Sequence, residues 1–175
     1  MTIVGAVWET KIKMAAVDEP AVRELLVEVL DELAQRYGGN GDDTPVAADD
    51  FTAPNGAFFV ASGSTASGWA SGLASGSDSG GARLIGCAGW RRHGEDAELK
   101  RMFTTKAARG RGLARRLLAT VEESARGAGF RRLILETGER QPEAIALYRS
   151  AGYVRIDNFG FYKDEVGVLS LAKVL

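Results

Sequence analysis

The sequence lacks the features that define several large classes of protein. A single cysteine, Cys87, excludes an internal disulfide and fits a reducing cytoplasm. No stretch approaches the ~20 apolar residues of a membrane span. The first residues also carry no basic segment ahead of their short apolar run, so we expect no signal peptide. Because the net charge of −1 gives no overall attraction to nucleic acid or to an anionic membrane, we expect a soluble, cytoplasmic protein.

The chain does contain enough apolar residues for one globular core. Hydrophobic residues make up 45% of its 175 residues, a length typical of one domain. One segment, at about 62–82, consists of Gly, Ser, Ala and Thr apart from Trp69, Leu73 and Asp78, and such a tract cannot bury enough surface to offset its ordering entropy. Since its flanking segments are too short to fold alone, we predict a single domain over residues 1–175, with a flexible Gly/Ser-rich loop between two antiparallel strands.

Hydrophobic periodicity predicts a chain of strands followed by alternating helices and strands. Strands are predicted at 10–17, 57–61, 84–91, 98–104, 132–136, 153–156 and 168–174, and helices at 18–37, 112–128 and 141–151. Residues 3–8 fit an extra strand or a loosely attached arm, and 40–55 are typical of a loop. The nearly continuous apolar run at 132–136 indicates a central strand covered on both faces. This order of elements predicts a mixed α/β or α+β sheet whose first half is antiparallel.

The stretch 98–118 is the most informative part of the chain. It runs from a predicted strand through the turn Arg109-Gly110-Arg111-Gly112-Leu113-Ala114 into an amphipathic helix. The first N–H groups of a helix lack intrahelical partners, and glycines leave them open to a ligand. Basic side chains surround the turn: Lys106, Arg109, Arg111, Arg115 and Arg116. We therefore predict that the turn binds a pyrophosphate.

Three other interpretations of this turn are less favoured by the residues. A P-loop requires G-x-x-x-x-G-K-[ST], which is absent, and a Rossmann fingerprint would place a glycine where Arg115 stands. Nucleic-acid binding would explain the basic residues between 100 and 132, but stacking aromatics are missing from that part. A solvated basic helix without a ligand leaves unexplained why two glycines stand at the helix start.

Two motifs in sequence resemble those of the GNAT superfamily of N-acetyltransferases. The turn matches the superfamily pattern R/Q-x-x-G-x-G/A. The run QPEAIALYRSAGY at 141–153 is similar to the second signature, roughly N-x-x-A-I-x-L-Y-x-x-x-G-F/Y, with Gln141 in place of the usual Asn. The resemblance covers residues 98–153. It implies a mixed, mostly antiparallel central sheet with a splayed strand pair and helices on both faces.

The resemblance also implies acetyl-CoA as the cosubstrate, without a metal. Its pyrophosphate would lie on the N–H groups of the turn, and its pantetheine arm would bond to the backbone of the preceding strand as an added strand does. The helix from Gln141 would form the other wall of the groove. The implied cofactor-binding residues are Met102, Phe103, Thr104, Arg109, Gly110, Arg111, Gly112, Leu113, Ala114, Gln141 and Ala144.

Two further residues correspond to catalytic positions of the superfamily. Tyr148 matches a tyrosine that often donates a proton to the departing thiolate, as a phenol can; the alternative is a core aromatic. Glu98 stands where relatives often place a carboxylate that acts through water; the alternative is an exposed position on a strand. Glu136 and Asp96 are the fallback bases.

The remaining reactive side chains favour direct transfer of the acetyl group. Cys87 lies in a predicted buried strand and has no histidine partner in a visible motif, so we expect no acetyl-cysteine intermediate. His93, the only histidine, stands in a turn with Gly94 and is expected to be solvated. Positioning of thioester and amine would then supply much of the rate.

The function implied is an N-acetyltransferase acting on a primary amine of a small molecule, an amino acid or a peptide. The alternative is a non-catalytic CoA-binding GNAT domain that acts through a partner protein. Acceptor recognition in the superfamily depends on segments that correspond here to 19–55 and 156–167. The second segment carries aromatic and acidic residues suited to a cationic amine, or else to simple packing: Asp157, Phe159, Phe161, Tyr162, Asp164 and Glu165. Related proteins are often dimers, so a homodimer is also considered, with no nucleic-acid or membrane partner.

Overall fold

The computed structural model describes residues 8–65 and 83–175, which form one open sheet with helices on both faces. Residues 3–7, predicted as a strand or an arm, lie outside the described residues. So does most of the predicted Gly/Ser-rich loop, 66–82. The elements in chain order are β1 (Trp8–Met14), α1 (Pro20–Tyr37), β2 (Gly56–Thr65), β3 (Arg83–His93), β4 (Asp96–Thr104), α2 (Leu113–Gly127), β5 (Arg132–Gly138), α3 (Pro142–Ser150), β6 (Val154–Ile156) and β7 (Val168–Val174). Among the described helices, none has the length and apolar character needed to cross a membrane.

The strands lie in the order β1-β2-β3-β4-β5-β7-β6, and the only parallel neighbours among them are β4 and β5. This confirms the mixed, mostly antiparallel sheet with an antiparallel first half. The β4–β5 ladder consists of two residue pairs, Ala97 with Leu133 and Glu98 with Ile134. Both strands continue beyond these pairs without bonding to each other. The predicted splayed strand pair is therefore present, and it opens a groove in the sheet.

A bulge in β4 lies immediately beyond the last pair with β5. The pairing of β3 with β4 shifts between Cys87, opposite Phe103, and Gly89, opposite Lys100. Arg101 lies within this shift and has a φ of 56°, in the left-handed region that residues other than glycine rarely adopt. Such bulges bend a strand and increase its twist. The bulge accounts for the divergence of β4 from β5.

Helices cover both faces of the sheet because its central strands alternate their apolar side chains. In β2, Phe59 packs into the core beneath α2, whereas its neighbours Phe58 and Val60 pack into the core beneath α1. The α2 core includes four buried helix residues at helical spacing: Leu113, Leu117, Val121 and Ala125. The prediction of a central strand at 132–136 is confirmed, since Leu133, Ile134 and Leu135 are all buried.

The element boundaries differ most from the predictions at three places. β1 begins at Trp8 and ends at Met14, where 10–17 was expected. β2 continues to Thr65, so the first residues assigned to the Gly/Ser-rich loop belong to a strand paired with β1. The segment 40–55 contains a single 3-10 turn, Ala48–Phe51, because Phe51 buries its ring against Phe58. In each case tertiary packing or strand pairing overrides local composition.

Candidate active site

A cavity of about 1000 Å³ occupies the groove between β4 and β5. One side, which we call the motif side, is formed by 102–104 of β4, the turn 109–114 and helix α3. The other, the loop side, is formed by Lys100, Arg101, Glu136, Glu139, Arg140 and the loops 38–44 and 162–168. All of the sequence-predicted site residues line this cavity except Arg111 and Glu98. The structure therefore brings together two motifs separated by more than twenty residues of chain.

The turn before α2 has the backbone geometry of an anion cradle. Gly110 and Gly112 have φ values of 73° and 76°, and a Cβ added at either would meet nothing within 4 Å. Gly112 is the N-cap of α2, no side chain caps the helix, and its first turn contains no acidic residue. The first N–H groups of the helix thus have no capping side chain and lie at the positive end of the helix dipole. A pyrophosphate group fits this arrangement.

Several basic residues of the motif side brace the turn through protein partners. The guanidinium of Arg109 lies 2.7 and 2.8 Å from the two carboxylate oxygens of Glu32, and its Nε donates to the Thr104 carbonyl at 3.1 Å. Although burial opposes it, hydrogen bonds from Arg109 and Arg36 hold the pKa of Glu32 below its ordinary value. Arg115 donates to the Ser150 hydroxyl at 2.6 Å. These contacts fix the turn against α1, β4 and α3.

The strand segment before the turn presents an unpaired edge to the cavity. Met102, Phe103 and Thr104 line the cavity beyond the point where the β4–β5 ladder ends. On the other side, Phe103 and Thr104 pair with Cys87 and Gly86 of β3. An extended ligand arm can therefore bond to this edge in the manner of an added strand.

Helix α3 places its predicted residues on one face toward the cavity. Tyr148 is 7% exposed, and its hydroxyl donates to the Met102 sulfur at 3.6 Å. Burial raises the pKa of Tyr148 above its ordinary value, so the phenol keeps its proton at neutral pH. Ala144 lies half-buried in the same wall. The amide of Gln141 donates to the Tyr37 hydroxyl at 3.3 Å, which joins α3 to the end of α1.

Glu98 lies behind the cavity and is enclosed by cations. Its side chain is 1% exposed, with Arg91 Nε at 2.7 Å from Oε2 and Lys100 Nζ at 2.8 Å from Oε1. The alternative of an exposed strand position is therefore wrong. Asp96, a fallback base, lies outside the cavity and forms a two-bond ion pair with Arg132.

Glu136 is the carboxylate that lines the cavity floor. Its side chain is 6% exposed, Oε2 lies 3.4 Å from Lys100 Nζ, and Oε1 is buried without a hydrogen-bond partner. Burial raises the pKa of Glu136 above its ordinary value, and the nearby Lys100 opposes that shift. Gly160 packs against the carboxylate, since a Cβ there would lie 2.8 Å from Oε2. A group of this kind can accept a proton or an ammonium ion.

The loop side is held together by a network that the sequence did not indicate. Arg101 Nη1 lies 2.6 Å from Asp42 Oδ2, and the Tyr162 hydroxyl donates to Asp42 Oδ1 at 3.1 Å. The same hydroxyl accepts a hydrogen bond from the backbone N–H of Asp43 at 2.6 Å. Of the acceptor residues expected at 156–167, Tyr162 and Glu165 line the cavity, whereas Phe159 and Phe161 do not.

The remaining reactive side chains lie outside the cavity. Cys87 is fully buried, its thiol donates to the Arg101 carbonyl at 3.2 Å, and burial raises the pKa of the Cys87 thiol to about 12. His93 is exposed, as expected, with its Nδ1 3.7 Å from Glu98 Oε2 and its ring against Phe159. Within residues 8–65 and 83–175, no three His, Cys, Asp or Glu side chains are grouped as the ligands of a metal ion would be.

Comparison with known proteins assigns the family. Residues 26–153 match the model of the Acetyltransferase (GNAT) family. An IAA acetyltransferase of Azospirillum brasilense is 40% identical over 78 residues, which are 45% of this chain and 51% of that protein. The chain thus matches only about half the length of this curated relative.

Solved structures share the fold at low identity. An acetyltransferase from Streptococcus agalactiae superposes with a TM-score of 0.67 at 19% identity. The match covers 95% of this chain and 98% of the Streptococcus chain. A GNAT family acetyltransferase from Elizabethkingia anophelis, solved with acetyl-CoA bound, superposes with a TM-score of 0.59 at 17% identity, covering 95% and 98%. The family match covers both motifs and the splayed strands, whereas the cavity residues at 162–168 lie beyond it.

Proposed function

Because the chain belongs to the GNAT family of acetyltransferases, we propose that it transfers the acetyl group of acetyl-CoA directly to a primary amine of a small molecule, an amino acid or a peptide. The observation that carries the proposal is that the Gly110–Gly112 turn, the free edge of β4 and the buried Tyr148 hydroxyl meet in one groove. We further propose that the chain is one catalytic domain that works in the cytoplasm, where its single buried thiol stays reduced.

Recognition of acetyl-CoA is assigned to the motif side. The N–H groups of residues 110–114 would receive the pyrophosphate, and Arg111 would add positive charge beside it. Arg109 would keep the turn in place through Glu32. The edge formed by Met102, Phe103 and Thr104 would bond to the pantetheine arm. Ala144 and Gln141 would form the opposite wall.

The reaction then needs three proton movements around one bond exchange: the acceptor ammonium loses one proton before the attack, the newly bonded nitrogen loses a second proton to solvent, and the leaving sulfur gains one. The neutral amine nitrogen attacks the thioester carbonyl carbon, and the carbon–sulfur bond breaks. Tyr148 would donate a hydrogen bond and then its proton to the leaving sulfur, and would regain a proton from solvent. In the structure the Tyr148 hydroxyl donates to the Met102 sulfur, and that bond would be exchanged for one to the leaving sulfur.

Removal of the proton from the acceptor ammonium is assigned to Glu136. Of the predicted bases, it alone lines the cavity, and one of its oxygens has no hydrogen-bond partner among the described residues. Glu98, the base predicted from the sequence, would act as a positioning residue that holds Lys100 beside Glu136. The raised pKa of Glu136 brings its proton affinity closer to neutral pH, which suits a general base.

A thermal unfolding titration with acetyl-CoA, followed by a thiol-release assay with a panel of amines, tests the proposal. At about a hundredfold excess over Kd, acetyl-CoA should raise the melting temperature by roughly 5–10 °C. Free thiol should then appear only when an acceptor amine is present. Absence of any shift at millimolar acetyl-CoA would contradict the proposal. A shift without thiol release from any amine would instead favour a non-catalytic CoA-binding domain that acts through a partner.

A further inference from the structure

The loop side of the cavity carries acidic groups at two levels, a floor and a rim. The floor is Glu136, more than nine-tenths buried, with an oxygen that has no partner among the described residues. The rim consists of three exposed carboxylates that line the same cavity: Asp43, Glu139 and Glu165. The described residues form no ion pair with any of these three. The rim therefore has negative charge available for a ligand.

The rim carboxylates belong to segments that are bonded to one another. The Asp43 N–H donates to the Tyr162 hydroxyl, and the Glu165 N–H donates to the Tyr162 carbonyl at 2.9 Å. The Glu139 N–H donates to the Gly167 carbonyl at 2.9 Å. Three loops distant in sequence are thus joined into one opening. Their acidic side chains surround a common entrance and are not scattered over the surface.

The cations of the loop side are already engaged. Arg101 is paired with Asp42, and Lys100 lies between Glu98 and Glu136. Arg140 donates to the Arg36 carbonyl at 2.7 Å and lies against the Tyr37 ring. Arg101 and Lys100 could receive a carboxylate from a ligand only by giving up a partner in a buried pair, which is costly, whereas Arg140 is exposed. The loop side thus suits a cation and disfavours an acceptor with a free carboxylate.

We propose that the acceptor is an elongated dication, a primary alkyl ammonium that reaches Glu136 and carries a second positive charge held at the rim by Asp43, Glu139 and Glu165. The inference rests on the proposed function and deepens it. The ammonium gives one proton to the Glu136 carboxylate, and its nitrogen forms the new bond to the acetyl carbon as the carbon–sulfur bond breaks. The nitrogen then releases its second proton to solvent. The second charge stays protonated and solvated at the rim. The aliphatic chain between the two charges spans the depth of the cavity.

Three acceptors with the same carbon chain test this assignment: cadaverine, pentylamine and δ-aminovalerate. They differ only in the group at the far end, which is an ammonium, a methyl group or a carboxylate. Three exposed ion pairs should favour cadaverine over pentylamine by about tenfold in kcat/KM, with δ-aminovalerate slower still. Because the rim is exposed, added salt should reduce the preference for cadaverine over pentylamine.

Rim variants and a matched control complete the experiment. The double substitution Glu139→Gln/Glu165→Gln should bring cadaverine down toward the rate of pentylamine. Glu24→Gln/Glu123→Gln removes the same charge from exposed helix positions outside the cavity and should preserve the preference. Equal rates for cadaverine and pentylamine, or a preference that survives the rim substitutions, would overturn the inference. So would acetyl-CoA binding without acetylation of any of the three acceptors, and in that case the thermal shift would still support the donor site.

Discussion

The two sides of the cavity recognise their ligands by different physical means. The motif side offers backbone groups: the N–H groups at the start of α2 and the free edge of β4. Its arginines are occupied in bracing, as the bond of Arg109 to Glu32 shows. The loop side offers charged side chains, with Glu136 on the floor and acids at the rim. Backbone recognition depends on conformation and tolerates many side chains, whereas charge recognition changes with single substitutions.

The largest expected effect on acetyl-CoA binding comes from filling the backbone cradle. Gly112→Glu forces a side chain onto a residue with a φ of 76° and puts negative charge beside the pyrophosphate. We expect acetyl-CoA binding to weaken by at least about a hundredfold. Calorimetric titration measures this loss. Gly127→Glu, at the far end of the same helix, adds the same group in open space and should bind acetyl-CoA normally. Equal affinity in the two variants would mean that the pyrophosphate binds elsewhere.

Glu136, on the floor of the loop side, should control the chemical step without contributing to acetyl-CoA binding. Glu136→Gln keeps the size of the side chain and removes its basicity, so kcat should fall by about a thousandfold. Glu98→Gln is the matched change at the base predicted from the sequence, and it should lower kcat less. A larger loss of kcat in Glu98→Gln than in Glu136→Gln would instead identify Glu98 as the general base.

The pH dependence of the wild-type rate follows from the same carboxylate. A base acts only when deprotonated, so kcat/KM should rise with pH through the pKa of Glu136. Because burial raises that pKa, the rise should lie above the ordinary range of a glutamate. Glu136→Gln should remove this limb of the profile. A limb that stays in place in the variant would assign it to another group.

The contact between Tyr148 and Met102 within the motif side should matter for the leaving group. Tyr148→Phe removes the hydroxyl that now contacts the Met102 sulfur and keeps the ring against Tyr153. We expect kcat to fall by about a hundredfold with little change in the Kd for acetyl-CoA. Single-turnover kinetics with bound acetyl-CoA measure the step directly. An unchanged kcat would leave Tyr148 as a core aromatic.

The smallest effect is expected where Tyr162 joins the loop 162–168 to the loop 38–44. Tyr162→Phe removes one hydroxyl that bonds to both Asp42 and Asp43. We expect the KM for the acceptor amine to rise by about threefold to tenfold, in line with the loss of one or two hydrogen bonds. The Kd for acetyl-CoA should stay the same. A change in donor affinity of similar size would show that the two sides are not independent.

The sequence was far more informative about the motif side than about the loop side. Gly110, Gly112 and Tyr148 belong to contiguous motifs whose spacing encodes a helix start and a helix face, so their positions were predictable. The ion pair between Arg101 and Asp42 joins residues 59 positions apart through a bulge in β4. No local pattern marks such a bulge.

The burial of Glu98 was unpredictable for a related reason. On an alternating strand it has the appearance of a surface residue, yet it lies at the last pair of the β4–β5 ladder, between Arg91 and Lys100. Only the parallel pairing of two strands separated by α2 covers it. Glu136, in contrast, was named among the bases because it ends a buried strand. Which carboxylate faces the cavity depends on where the two strands part.

Mass spectrometry of a reaction that contains the protein, acetyl-CoA and a primary amine tests the central claim most directly. Direct transfer predicts an acetylated amine and free CoA in equal amounts, with the protein itself unmodified throughout the reaction. An acetylated protein intermediate that forms and decays with the product would contradict direct transfer. Bound acetyl-CoA that stays intact with every amine tested would contradict the catalytic role itself.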